Sequence, residues 1–176
     1  MTKNLQVDFF LTKLNDDLNS LSKDVHDIPS ADKAFSTWSL MLIENATLDK
    51  ALDSYVDGGG DKGLDSIYIP DDKGTIKIVQ TKRYKNTSKN LETGEIVKTL
   101  NGVRWLLKGN IYLPSVNANF RAKAEEFRDA LLTSFPKVDI YFVTTGQKPA
   151  PEGEDEIKLF LSQVNSPSEE VYSVTV

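Results

Sequence analysis

The chain of 176 residues has no cysteine and one histidine, His26. The first absence removes disulfides, a thiolate nucleophile and every cysteine-based zinc site. The second removes paired-histidine zinc sites. It also leaves a Ser-His-Asp triad no imidazole but His26, which lies between two expected helices, far in sequence from the other candidate groups. No apolar run nears the roughly 18 residues of a membrane span, and the start, "MTKNLQVDFF", lacks the apolar core of a signal peptide. A cytoplasmic location without membrane contact is the resulting expectation.

What is present suits a globular domain. The apolar share is 39% and the charged share 27%, and 8 Phe, 6 Tyr and 2 Trp argue against disorder. The length fits one domain with a real core. Net charge is -5, but it is unevenly placed. Residues 1–70 carry 6 basic against 12 acidic side chains, residues 71–110 carry 9 against 4, and residues 111–176 carry 6 against 10. For a polyanionic partner, local charge outweighs the total, and the basic middle starts just after a glycine-rich stretch.

Apolar spacing predicts an amphipathic helix over 6–24, on the stripe Val7, Phe10, Leu11, Leu14, Leu18 and Leu21. Pro29 breaks it, with a cap at Ser30 or Asp32, and a second helix is expected from Ala34 to Leu52, Glu44 within it. "LDSIYIP" (Leu64–Pro70) and "TIKIVQTKRY" (Thr75–Tyr84) alternate as strands around the hairpin signal "DDKG". Residues 85–110 give no firm assignment beyond a short helix at "VRWLL". A helix over Asn117–Phe135, a strand and turn over Val138–Gly146, a helix over 155–164 and a strand over Glu169–Val176 complete the pass. The order implies an α/β fold, a mixed central sheet flanked by helices. Residues 1–33 form an N-terminal helical extension, 34–146 the core, and 147–176 a closing helix and strand. The chain ends inside a strand-like pattern, so the expectation is the N-terminal part of a longer protein.

Gly58, Gly60 and Gly63 spell G-x-G-x-x-G. A dinucleotide fingerprint needs these glycines after a strand and at the start of a helix; here they follow a helix and lead into a strand. No Gly-Lys-Ser/Thr completes a P-loop. The loop is therefore expected to be a tight backbone path that leaves Asp65 approachable, with Asp57 and Asp61 as its polar groups.

Asp65 stands at the mouth of one strand, and Gln80 and Lys82 share one face of its partner. A turn centred near residues 72–73 sets position 65 opposite position 80. A carboxylate beside an amide or carbonyl oxygen suits a hard Mg²⁺, and a lysine there can orient water or offset phosphoryl charge.

"GGDKGLDSIYI…IKIVQTKRYK" resembles the PD-(D/E)XK nuclease superfamily in its Mrr-like Q-x-K branch, and most of all the N-terminal nuclease region of AIPR-type abortive phage infection proteins. The specific motifs span Gly58–Lys82, while the order of elements extends over about 35–145. The resemblance implies a restriction-endonuclease-like fold and Mg²⁺- or Mn²⁺-dependent hydrolysis of DNA or RNA phosphodiesters, in phage defence or restriction. It implies Asp65, Gln80, the Thr81 carbonyl and Glu44 as metal ligands, and Lys82 as the residue that positions the attacking water. Arg83, Tyr84, Lys85 and Lys62 are the expected contacts to a nucleic-acid backbone, and a homodimer suits a two-strand cut. The first strand of the family's three-stranded meander has no obvious counterpart here. Two other classes stay open: a degenerate nuclease fold kept as a nucleic-acid-binding or protein-interaction module, motivated by the uncharged Gln80, and an acidic adaptor, motivated by the flanking negative segments.

Overall fold

The computed structural model describes residues 5–24, 30–109, 116–165 and 173–176; His26 and Pro29 lie outside them. Helix α1 (Leu5–Asp24) buries Leu14 and Leu18 against Ala34 and Phe35 of α2 (Ala31–Glu44). Phe10, expected on the buried stripe, is exposed instead. Ser30 is the cap of α2, its hydroxyl accepting from the Lys33 N–H at 3.1 Å.

The helix expected over 34–52 is two helices. The chain leaves α2 through Asn45, at a φ of 50°, and restarts at Thr47, the cap of α3 (Leu48–Asp53). Asparagine tolerates the left-handed conformation that ends a helix, and a threonine hydroxyl satisfies a first-turn N–H, so "ENATLD" carries both a stop and a start.

Strands β1 (Ser66–Tyr68) and β2 (Thr75–Lys82) pair antiparallel, with Ser66 opposite Val79. Their turn closes as "DDKG" predicts: the Lys73 N–H donates to the Pro70 carbonyl at 2.9 Å and the Gly74 N–H to Asp72 Oδ1 at 2.9 Å. Beyond β1, Val56 N–H donates to the Asp65 carbonyl and Ile67 N–H to the Ser54 carbonyl, each at 2.8 Å, around a bridge of Tyr55 with Ser66. This short pairing makes a third antiparallel element where the sequence offered no strand pattern.

After β2, the unassigned stretch holds a full helix, α4 (Thr93–Leu107), then α5 (Ala118–Ser134). Ile96, Leu100 and Val103 bury one face of α4 at helical spacing. The basic and polar residues around them masked that period. Strand β3 (Lys137–Thr144) lies parallel to β2, and β4 (Ser173–Thr175) parallel to β3, giving the order β1-β2-β3-β4. Between them, α6 (Pro151–Val164) starts on a proline, four residues before the expected 155. The result is a mixed α/β sheet flanked by helices, among the described residues.

The two sheet faces differ. Ile76 and Ile78 of β2 enter the main core with Leu100 of α4, Phe120 and Phe127 of α5 and Phe160 of α6. Val79 faces the other way, against Leu40 of α2 and Ala51 of α3. Gln80 and Lys82 continue the Ile76–Ile78 face past the end of the apolar core, where β2 opens towards solvent. No described helix is long and apolar enough to cross a membrane.

Candidate active site

A cleft of about 340 Å³ opens at the C-terminal end of β2. Asp65, Gln80, Thr81 and Lys82 line it, as the strand register requires: with Ser66 opposite Val79, Asp65 falls level with Gln80. Arg83, Asp32, Asp57, Asp61, Glu95 and Lys98 complete the lining. Five carboxylates thus face three cations, a balance that favours a cation over a free anion.

Asp65 is clamped chiefly by Thr81. Its Oδ2 accepts from the Thr81 N–H at 2.8 Å and the Thr81 hydroxyl at 2.5 Å. Burial pushes the carboxyl up to about 6; the Thr81 hydroxyl and amide and the Gln80 side chain pull it back, while Asp57 adds to the rise. At neutral pH the carboxylate is mostly ionised but poorly solvated.

Gln80 is buried, and its Nε2 donates to the Thr81 carbonyl at 3.4 Å. Its Oε1 is buried without a hydrogen-bond partner. An orphaned amide oxygen is unfavourable unless something else occupies it. The carbonyl of Lys82 accepts from the Thr145 N–H, so even-numbered residues at this end of β2 turn their peptide groups to β3. Odd-numbered Thr81 turns its own to the Asp65 side, as its N–H bond to that residue requires. The Asp65 carboxylate, the Gln80 Oε1 and the Thr81 carbonyl are the oxygen types a hard divalent cation takes. Among the described residues no group of three carboxylates or imidazoles converges as a ready metal cage.

Lys82 is held by a residue that sequence reasoning missed. Its Nζ lies 2.5 Å from Glu95 Oε1 in the first turn of α4. That hydrogen bond, against some burial, raises the lysine above its ordinary value, so the ammonium stays charged. Lys98 follows Glu95 by three residues on the same helix and points to Asp61 at 3.9 Å. Finding either required recognising α4, for which the spacing of Ile96, Leu100 and Val103 was the available signal.

Glu44 does not join the cleft. Closing the last turn of α2, it pairs with Lys77 at 3.2 Å, and Asp139 of β3 pairs with the same ammonium at 3.1 Å. Burial pulls Lys77 down, but the bonds to Asp139 and Glu44 more than offset it. Lys77 precedes Gln80 by three residues, about 10 Å along the strand. The acidic residue that α2 does deliver to the cleft is Asp32, at its opposite end.

Of the expected nucleic-acid contacts, Arg83 lines the cleft, and its Nη2 donates to Asn15 Oδ1 of α1 at 2.5 Å. Tyr84 and Lys85 line an adjoining pocket. Lys62 lines neither; its ammonium stands 5.9 Å from the centre of the Trp105 ring.

The glycine loop holds an anion of its own. Asp61 accepts from the Gly63 N–H at 2.6 Å through Oδ1 and from the Gly58 N–H at 3.2 Å through Oδ2. Gly63, at a φ of +80°, packs under the Lys98 side chain. Two of the loop amides that could face a phosphate are taken by this carboxylate, and the loop leads into Asp65.

Compared with models of protein families, with curated proteins and with solved structures, the chain finds no match.

Proposed function

We propose that this chain is a metal-dependent nuclease that hydrolyses phosphodiester bonds of DNA or RNA, in the phage-defence or restriction setting implied by its motif resemblance. The observation that carries the proposal is the buried, unpartnered Gln80 Oε1 beside an ionised Asp65, with the Lys82 ammonium two residues further along the strand. The Asp65 carboxylate, Gln80 Oε1 and the Thr81 carbonyl would hold Mg²⁺ or Mn²⁺. When bound, such an ion supplies a hydroxide-like nucleophile at neutral pH and offsets charge on the phosphoryl group.

The chain's own residues do the rest. Thr81 fixes the Asp65 carboxylate through Oδ2. Lys82, charged and oriented by Glu95, donates hydrogen bonds to an attacking water or a phosphoryl oxygen. A protonated lysine does not act as a general base, so its work here is positioning and electrostatic.

The test is cleavage of plasmid DNA and of a structured RNA with Mg²⁺, with Mn²⁺ and with EDTA, for the wild type, Asp65→Ala and Lys82→Ala. Metal-dependent cutting that both substitutions abolish in folded protein is the expected result. Cutting that survives either one refutes the assigned roles.

The uncharged Gln80 favours a second reading, a nuclease fold kept as a binding module. That protein would bind nucleic acid with a salt-dependent affinity indifferent to Mg²⁺ and cut nothing.

A further inference from the structure

Beside the cleft lies a second cavity, of about 420 Å³. Leu11, Leu14 and Asn15 of α1 form one wall, and Arg83, Tyr84 and Lys85, just after β2, form the other. Asp32 and Arg83 line both cavities, so the two share a seam. Resting on the nuclease proposal, we infer that this pocket holds an unpaired nucleotide next to the scissile phosphodiester, and that the substrate strand is therefore single-stranded at the site.

Charge is the first argument. The cleft is rich in carboxylates, whereas the pocket offers Arg83 and Lys85 against a single carboxylate, Asp32, on the seam. Among the described residues no carboxylate lies within ion-pair distance of either cation. The Asn15 contact uses one guanidinium nitrogen and leaves further donors for a flanking phosphate. A strand crossing the acidic cleft thus meets unpaired positive charge where it leaves.

Shape is the second. The α1 wall presents the half-buried Leu11, with the core residue Leu14 behind it, and the polar Asn15, which suits a base with an exposed ring face and a hydrogen-bonding edge. A base inside a duplex has both faces stacked and its edge paired, so it has no free face to lay against Leu11. The volume lies in the range of small-ligand sites, enough for one nucleotide. Helix α1, which contributes nothing to the metal ligands, thereby acquires a role in substrate choice.

The experiment is fluorescence anisotropy in EDTA, with labelled short single-stranded DNA and RNA and a duplex of equal length, run beside cleavage assays in Mg²⁺. Wild-type protein should bind single strands at least about tenfold more tightly than duplex. Replacing two phosphate-binding cations, Arg83→Gln with Lys85→Gln, should lose about tenfold on single strands and flatten the log–log salt slope by about 1.4. Leu11→Ala, which removes the apolar face without adding charge, should weaken single-strand binding in protein that still unfolds cooperatively. Equal affinity for duplex and single strand, or wild-type affinity in the double variant, overturns the inference. Single-strand preference that depends on Arg83 and Lys85 without any cutting supports the pocket and overturns the nuclease. Metal-dependent cutting of duplex as fast as single strands leaves the nuclease standing and overturns the pocket.

Discussion

Replacing Asp65 by asparagine should stabilise the protein, and only above a defined pH. The folded chain raises this carboxyl from 3.8 to about 6, which corresponds to about 3 kcal/mol of disfavoured charge once the group is ionised in both states. The sign follows from proton binding. Because the folded state holds the proton more tightly, the penalty is absent below about pH 4, grows between pH 4 and 6, and is complete above about pH 6. Asparagine keeps a side-chain oxygen for the Thr81 N–H and hydroxyl and carries no charge. At pH 8 in EDTA, Asp65→Asn should therefore be more stable by about 2 to 3 kcal/mol, a rise in melting temperature of about 5 to 10 °C for a chain of this size. At pH 4 the two proteins should melt together. The assay is urea or thermal unfolding across pH 4–8, repeated with Mg²⁺. The cation should stabilise the wild type above about pH 6 and leave the variant unmoved. A variant less stable than wild type at pH 8, or an offset that does not change with pH, would refute the claim that burial of an unneutralised charge sets the character of the site.

Three more perturbations probe the surroundings. Gln80→Glu puts a second charge beside Asp65, so in EDTA it should destabilise by about 2 kcal/mol or more, while added Mg²⁺ restores the loss and binds at least about tenfold more tightly than in wild type; a melting temperature insensitive to Mg²⁺ would count against Gln80 as a ligand position. Glu44→Gln should leave metal-dependent cleavage within about twofold and cost about 1 kcal/mol, because it removes one of two carboxylates on Lys77; lost cleavage with intact folding would return Glu44 to the site. At Gly102 an added Cβ would stand 2.5 Å from the Lys62 carbonyl oxygen, so Gly102→Ala must push α4 off the glycine loop. The expected loss is about 1 to 3 kcal/mol in urea unfolding, with reduced cleavage as Glu95 shifts from Lys82. Gly94→Ala, with open space around its Cβ, is the matched control expected to do neither.

How far the site was legible follows from where its determinants lie. Asp65 opposite Gln80 came from counting residues around "DDKG", because a tight turn sets register within a few residues. Rejecting a phosphate cradle needed only the order of elements, helix then loop then strand. Asn45 and Thr47 carried a helix break in plain chemistry, but the apolar period ran through them and hid it. Helix α4 was obscured for a different reason, since residues 85–110 are basic and mostly polar and showed only "VRWLL" as a short helix. Gly102 makes room for the Lys62 backbone, a contact invisible from either segment alone.

The sequence by itself determined the hairpin, the faces of β2, the long amphipathic helices and the grouping of Asp65, Gln80 and Lys82. These depend on dihedral preference, turn chemistry and side-chain period, all of which act over a few residues. Tertiary structure decided which carboxylate meets which ammonium: Glu95 on Lys82, Glu44 on Lys77, Asp61 near Lys98. It also decided that Asp65 would be buried enough to hold its proton up to about pH 6. Charges pair across segments far apart in the chain, and desolvation depends on what packs above them, so neither is written in any local stretch.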